Sequence, residues 1–219
     1  MKKGYTDITI LLDRSGSILD CLEAMQDSLN EYLSGLKEQD GDVRVSAYQF
    51  DALYDANYKP TIYVDCLFTE RPVKELSSRI TIEPRGWTPL LDAMGRVITN
   101  TGARLASKPE DERPERVLFV TITDGLENTS QEFTRKSIKS MITHQTDKYN
   151  WNFVYLGANQ DAFSVAEGLG ISIGSTMTYN TSKAGLHNTI RSLNSYTASY
   201  AATGQAEFTE EDKNNALAD

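Results

Sequence analysis

The chain has 219 residues, with 22 Lys+Arg against 31 Asp+Glu and a formal charge of −9. That length suits one large domain able to bury roughly 70% of its unfolded surface, so no disulfide or structural metal is needed to hold it. The acidity disfavours a nucleic-acid backbone or an anionic lipid face as the main partner, and two cysteines, Cys21 and Cys66, are too few for a disulfide scaffold. Apolar runs of 4 to 6 residues fall far short of the ~20 a membrane helix requires. The opening MKKGYTD runs into a strand-like stretch, without the apolar centre and cleavage site of a signal peptide. A cytoplasmic protein with two buried, redox-silent thiols is the expectation.

In chain order, Ile8 to Leu12 is a continuous apolar run ended by Asp13, as expected of a strand buried on both faces. Leu22, Met25, Leu29, Tyr32, Leu33 and Leu36 then recur at spacings of 3 and 4, the stripe of an amphipathic helix. Val43 to Phe50 reads as a second strand and Thr61 to Phe68 as a more polar edge strand. Pro89 to Leu105 reads as a helix with Thr88 as its N-cap. Arg116 to Thr123 is the most apolar strand, and a helix over Phe133 to Thr146 follows it. Trp151 to Leu156 (strand), Ala162 to Leu169 (helix), Ile171 to Tyr179 (strand) and Ser182 to Ala202 (helix) complete the pattern. This alternation predicts an α/β, Rossmann-like three-layer sandwich: a central, mostly parallel sheet with one antiparallel edge strand and helices on both faces. The domain is expected to span residues 1–202. Residues 203–219 hold five acids against the single Lys213, and read as an acidic, disordered tail.

Ligands of open α/β sheets bind where the carboxyl ends of strands lead into loops. The first strand delivers Asp13-Arg14-Ser15-Gly16-Ser17 there, and the long fourth strand delivers Thr123-Asp124-Gly125; Gly86-Trp87-Thr88 lies between them. These loops carry carboxylates and hydroxyls but no histidine or thiolate. Such oxygen donors suit a hard divalent cation, Mg²⁺ first, with Mn²⁺ and Ca²⁺ as alternatives, and are poor for zinc or copper. At most two formal negative charges would surround the cation, leaving it electrophilic and able to take a carboxylate from a partner.

At these residues the chain resembles the von Willebrand factor type A (VWA) family. Its metal-ion-dependent adhesion site (MIDAS) is written Asp-x-Ser-x-Ser, then Thr, then Asp. Asp13, Ser15, Ser17, Thr88 and Asp124 match it, in order, over about residues 5–175. The segments Thr88-Pro-Leu-Leu-Asp-Ala and Thr123-Asp-Gly-Leu-Glu-Asn resemble the bacterial and phage intracellular branch. The resemblance implies a metal-binding module for protein–protein interaction, with Ser15, Ser17 and Thr88 coordinating directly and the aspartates directly or through water. It also implies a protein partner offering an acidic side chain, such as an ATPase or a stress- or defence-cluster protein.

Plainer roles stand beside these. Asp13 and Asp124 are also N-cap types; Asp92 and Glu127 are either supports for the site or surface acids. Arg14 and Arg85 either attract a ligand carboxylate or face solvent. Trp87 is a recognition aromatic or a packing residue, and the loop 157–161 either rims the site or caps a helix through Asp161. His144 and His187 read as ordinary helix residues. As an enzyme the chain lacks the parts: Ser15 stands where aspartate-based phosphatases carry their second Asp, and neither a phosphate-cradling Gly-Lys loop nor Gly-x-Ser-x-Gly occurs. A metal-dependent phosphoesterase using Asp13 and Asp124, or a purely structural metal site, remain the alternatives to binding.

Overall fold

The computed structural model describes residues 1–77, 79–158 and 161–219. Six strands, β1 (Lys2–Asp13), β2 (Asp42–Tyr54), β3 (Pro60–Pro72), β4 (Pro114–Thr123), β5 (Trp151–Ala158) and β6 (Thr176–Tyr179), form one sheet in the order β3-β2-β1-β4-β5-β6. Every neighbouring pair is parallel except β2 with β3, which pair antiparallel at the sheet edge. The helices are α1 (Leu22–Lys37), α2 (Leu90–Ala106), α3 (Arg135–Tyr149), α4 (Ala162–Leu169), α5 (Lys183–Thr203) and α6 (Glu210–Asn215).

Strand alternation assigns the two faces. Ile8, Ile10 and Leu12 of β1 and Leu118, Val120 and Ile122 of β4 bury against α1 and α5. Leu11, Phe119, Phe153 and Tyr155 point the other way, against α2, α3 and α4. Central strands covered on both faces explain why β1 and β4 read as unbroken apolar runs. The expected sandwich is the architecture observed, including the antiparallel edge.

Element ends differ from the sequence reading where long-range contacts decide them. β1 starts six residues earlier than its apolar run, because Tyr5, Thr6 and Asp7 pair with β2 and Thr6 and Asp7 with β4. β6 is limited to four residues, matching the last four of β5; Ile173–Ser175 before it forms a 3-10 turn. Cys66, expected to be buried, is exposed on edge strand β3, and Cys21 is buried.

The expectation of a disordered tail is corrected. Phe208 and Ala216 lie in the α1/α5 core layer, and the Phe208 ring sits 4.6 Å from that of Tyr196. The Phe208 amide donates to Gly174 O, and the Asn180 amide to Ala216 O. Thr209 and Asp212 form a capping box, while Asp212 also accepts from Ser192 Oγ. Apart from Asp212 the acids are exposed, which is why composition alone suggests a frayed end. Phe208→Ala should therefore cost about 3 kcal/mol and lower Tm by roughly 6–12 °C. A dispensable tail would leave the melting curve unchanged.

Candidate functional site

The parallel strands β1 and β4 end side by side, so the loops that follow them share one edge of the sheet. Asp13, the last residue of β1, has no accessible surface. One carboxylate oxygen accepts from the Ser15 amide at 2.8 Å, the other from Thr123 Oγ1 at 2.6 Å. Ser15 Oγ lies 3.1 Å from Ser17 Oγ, and Ser17 donates to Asp124 Oδ1 at 3.0 Å. A Cβ at Gly125 would meet Thr88 Oγ1 at 2.8 Å, with Asp13 Oδ2 and Ser15 Oγ at 3.7 Å. All five sequence-predicted residues therefore converge within a few ångströms, around a space that only a glycine leaves open. Asp13, Ser15 and Thr88 are buried and Ser17 is exposed at the surface, so the cluster opens outward on one side.

Neither aspartate caps a helix. The turn after β1 begins at Gly16 without a side-chain cap, and α3 is capped by Thr134, ten residues past Asp124. Thr88 does not cap α2 either, contrary to expectation. The Leu91 and Asp92 amides are taken by Glu127 Oε2 and Ser130 Oγ from the loop after β4. This releases the Thr88 hydroxyl from the cap and leaves it in the cluster.

Burial drives the electrostatics. It pushes the Asp13 carboxyl up to about 7, against the lowering effect of the hydrogen bonds from Thr123 and Ser15. Asp124 is also raised by burial, with the Ser17 hydroxyl opposing. Among the described residues no Lys, Arg or His pairs with either acid. Arg14, expected as solvent-exposed or ligand-attracting, is buried and bound to Asp51 and Asp65 at 2.7 and 2.6 Å. Arg85 is held on Asp51 as well and stacks on the Tyr63 ring. Both arginines thus brace the loops from behind.

Several supports have little signature in the sequence. The Thr88 amide donates to Asn128 Oδ1 and the Asn128 amide to Thr88 O, a reciprocal clasp between two site loops. Asp92 accepts the amides of Gln131, Glu132 and Phe133, while Glu127 accepts those of Leu91, Thr129 and Ser130. They lock the loop after β4 onto α2, so both are supports rather than surface acids. Gly86 has φ +68 and lies so close to Ala52 O that a side chain would collide with it; its own carbonyl accepts from the Gly16 amide. Trp87 pairs its backbone with Ala52 and remains half exposed, its ring T-stacked on Tyr54 at 5.6 Å. Of the suggested rim, Gly157 and Ala158 end β5 and Asp161 caps α4 through the Ser164 amide, whereas 159–160 lie outside the described residues. His187 pairs with Glu31 at the surface and the His144 ring meets Tyr149 edge-on, both far in sequence from the site loops.

Two carboxylates and three hydroxyls, all oxygen, make a donor set that fits a hard divalent cation. Among the described residues no group of three or more His, Cys, Asp or Glu forms a ligand cluster of the usual kind, so the hydroxyls are essential to this donor set.

No protein-family model matches the chain, and no curated protein matches it in sequence. Solved structures do share its fold. Proximal thread matrix protein 1 from the mussel byssus, with a zinc-occupied MIDAS motif, aligns at TM-score 0.58 and 18% identity, over 90% of this chain and 46% of its own. A von Willebrand factor type A protein from Catenulispora acidiphila aligns at TM-score 0.52 and 12% identity, over 90% and 43%. The manganese-loaded TRAP protein of Plasmodium vivax aligns at 0.51 and 16%, over 83% and 70%. The chain spans about half the length of the mussel and Catenulispora proteins. Its fold is the VWA fold.

An ionised Asp13 in this setting counts against the folded state, because its folded value lies above the ordinary 3.8. In excess chelator at pH 8, Asp13→Asn should therefore be more stable than the parent, by roughly 2–4 kcal/mol. Thr123 can turn its proton to Gly125 O, 3.0 Å away, and accept from the new amide. Denaturant titration measures the difference; a less stable variant would mean that the carboxylate is stabilising without a cation.

Proposed function

We propose that this chain is a metal-dependent protein-binding module whose cation, Mg²⁺ by choice with Mn²⁺ and Ca²⁺ as alternatives, is held by Asp13, Ser15, Ser17, Thr88 and Asp124. The observation that carries the reading is the convergence of five oxygen donors from three loops on a fully buried carboxylate that no cationic side chain among the described residues neutralises. Uncompensated buried charge is costly, and a divalent ion removes that cost. Two proteins of the same fold, one with a zinc-occupied MIDAS motif and one manganese-loaded, add support.

When bound, such an ion supplies a positive centre with a coordination position open to a carboxylate. The protein's part is to hold the donors in register. Thr123 and the Ser15 amide orient Asp13, Ser17 links the first loop to Asp124, and Asn128 fixes the Thr88 segment. The partner is a protein presenting an acidic side chain, and the role is binding rather than catalysis. Assignment to the intracellular, bacterial or phage branch, and to the cytoplasm, belongs to the same proposal and rests on the motif segments around Thr88 and Asp124.

Mg²⁺ or Mn²⁺ should raise the Tm of the parent and not that of Asp13→Ala, as read by calorimetry with and without chelator. Asn128→Ala should weaken Mn²⁺ binding about 10–100-fold while the chain stays folded by circular dichroism. Absence of any metal-dependent shift in the parent would overturn the metal site. Metal-dependent turnover of a phosphoester panel would overturn the binding role in favour of the phosphoesterase.

A further inference from the structure

The two edges of the sheet are not alike. β3 begins and ends on prolines, Pro60 and Pro72, carries exposed Asp65 and Arg71, and is interrupted by register shifts against β2. Those are devices that keep an edge from recruiting another strand. At the other edge β6 runs beside only Tyr155–Ala158 of β5. The first half of β5, Trp151-Asn152-Phe153-Val154, thus has β4 on one side and no strand on the other. It holds no proline and no charge to blunt it.

In a parallel ladder every second residue turns both its N–H and its C=O to the same neighbour. Within Trp151–Phe153 the outward set meets the open side, where among the described residues no hydrogen bond reaches it. Trp151 and Phe153 are buried, and an unpaired backbone group in such a place is costly. The open side is a groove of about 880 Å³, within the ~300–1,000 Å³ of ordinary ligand sites.

The walls of the groove differ in chemistry. Strand alternation puts Trp151 and Phe153 on the α3 face with Ile142 and Ile171, and Asn152 on the α5 face with Ser199 and Thr203. An extended guest in line with β6 would therefore turn its side chains alternately to apolar and to hydroxyl or amide neighbours. Among the described residues Glu207 is the one charged group lining the groove, and nearby Arg116 is paired with Glu115. With the chain at −9 overall, a guest carrying Lys or Arg is favoured and an acidic one repelled. The far rim is fixed in advance: the Phe208 amide donates to Gly174 O and its ring packs on Tyr196. Little order remains to be imposed on docking.

We propose that this groove takes an extended segment of a partner protein, added to β5 as a short strand in line with β6. The segment alternates apolar residues with Ser or Thr and carries a Lys or Arg; its backbone pairing supplies affinity and the two walls supply selectivity. The groove opens where β5 begins, whereas the oxygen cluster lies beyond the carboxyl ends of β1 and β4, so this binding is independent of the metal.

A phage-displayed random peptide library, panned on the immobilised full chain in EDTA, tests it. Selected peptides should show the alternating pattern with a basic residue, and bind Asp13→Ala as tightly as the parent. Methylating alternate backbone nitrogens of such a peptide in one phase should weaken binding about tenfold or more, and in the other phase change it little, as pairing along one edge requires. Ser199→Tyr and Thr203→Tyr, both at exposed positions of α5, should each block binding while leaving Tm unchanged. Bound peptide should also slow hydrogen exchange of the β5 amides that face the groove. Failure to select any peptide in EDTA, tolerance of methylation in both phases, undiminished affinity in both tyrosine variants, or unchanged exchange in β5 would each overturn the proposal.

Discussion

Everything at the site edge is arranged around a carboxylate that water cannot reach. Asp13 ends the most central parallel strand, between β2 and β4, and its two oxygens already accept one hydrogen bond each. Two neutral donors reduce the cost of burying a negative charge but do not cancel it, which is why its carboxyl is raised to about 7. Moving Asp13 outward would break the register of β1 with β2, where it pairs with Phe50. The sheet therefore holds an acid in a place the acid disfavours, and that tension gives a cation something to relieve.

Holding three loops in contact at such a point takes a scaffold of its own. Arg14 stands between Asp13 and Ser15 in sequence, yet its side chain runs away from them to Asp51, itself fully buried, and to Asp65. A buried pair of this kind contributes less to net stability than to specifying one arrangement, because desolvation offsets most of the attraction. Here the arrangement it specifies turns the residues on either side, Asp13 and Ser15, toward the cluster. On the opposite side Asn128, Asp92 and Glu127 satisfy the first amides of α2 and the loop after β4 in one network. With Glu127 and Ser130 serving the start of α2, the Thr88 hydroxyl is spared for the site.

The donors were legible in the sequence because their chemistry and spacing are local: each loop follows a strand that its own apolar run defines. The layering of the sandwich was legible for the same reason. What surrounds the donors was not, since it depends on pairings between distant residues. Nothing near Arg14 in the chain announces Asp51, and a single Asn128 in a polar loop looks like any turn residue. Asp92 and Glu127 were recognisable as acids of interest, but only the folded loop shows that they accept backbone amides. Phe208 illustrates the same limit from the other side: one aromatic among acids reads as a tail, and only Tyr196 and Gly174, met through folding, make it core.

The net charge of −9 consequently says little about what the protein attracts. Much of it lies in surface acids, including those around α6, whose field is screened within about 10 Å by ordinary salt. The two acids at the site are different in kind, Asp13 fully and Asp124 partly buried, with no cationic neighbour among the described residues, so one divalent ion among them would reverse the local sign. In the proposed role, a partner covering that point would lower the dielectric there, and its carboxylate would interact with less screening than in open water. Affinity on this face would arise from that one shielded charge contact, and the acidity of the remaining surface would act only to turn away partners whose charge is spread over many acids.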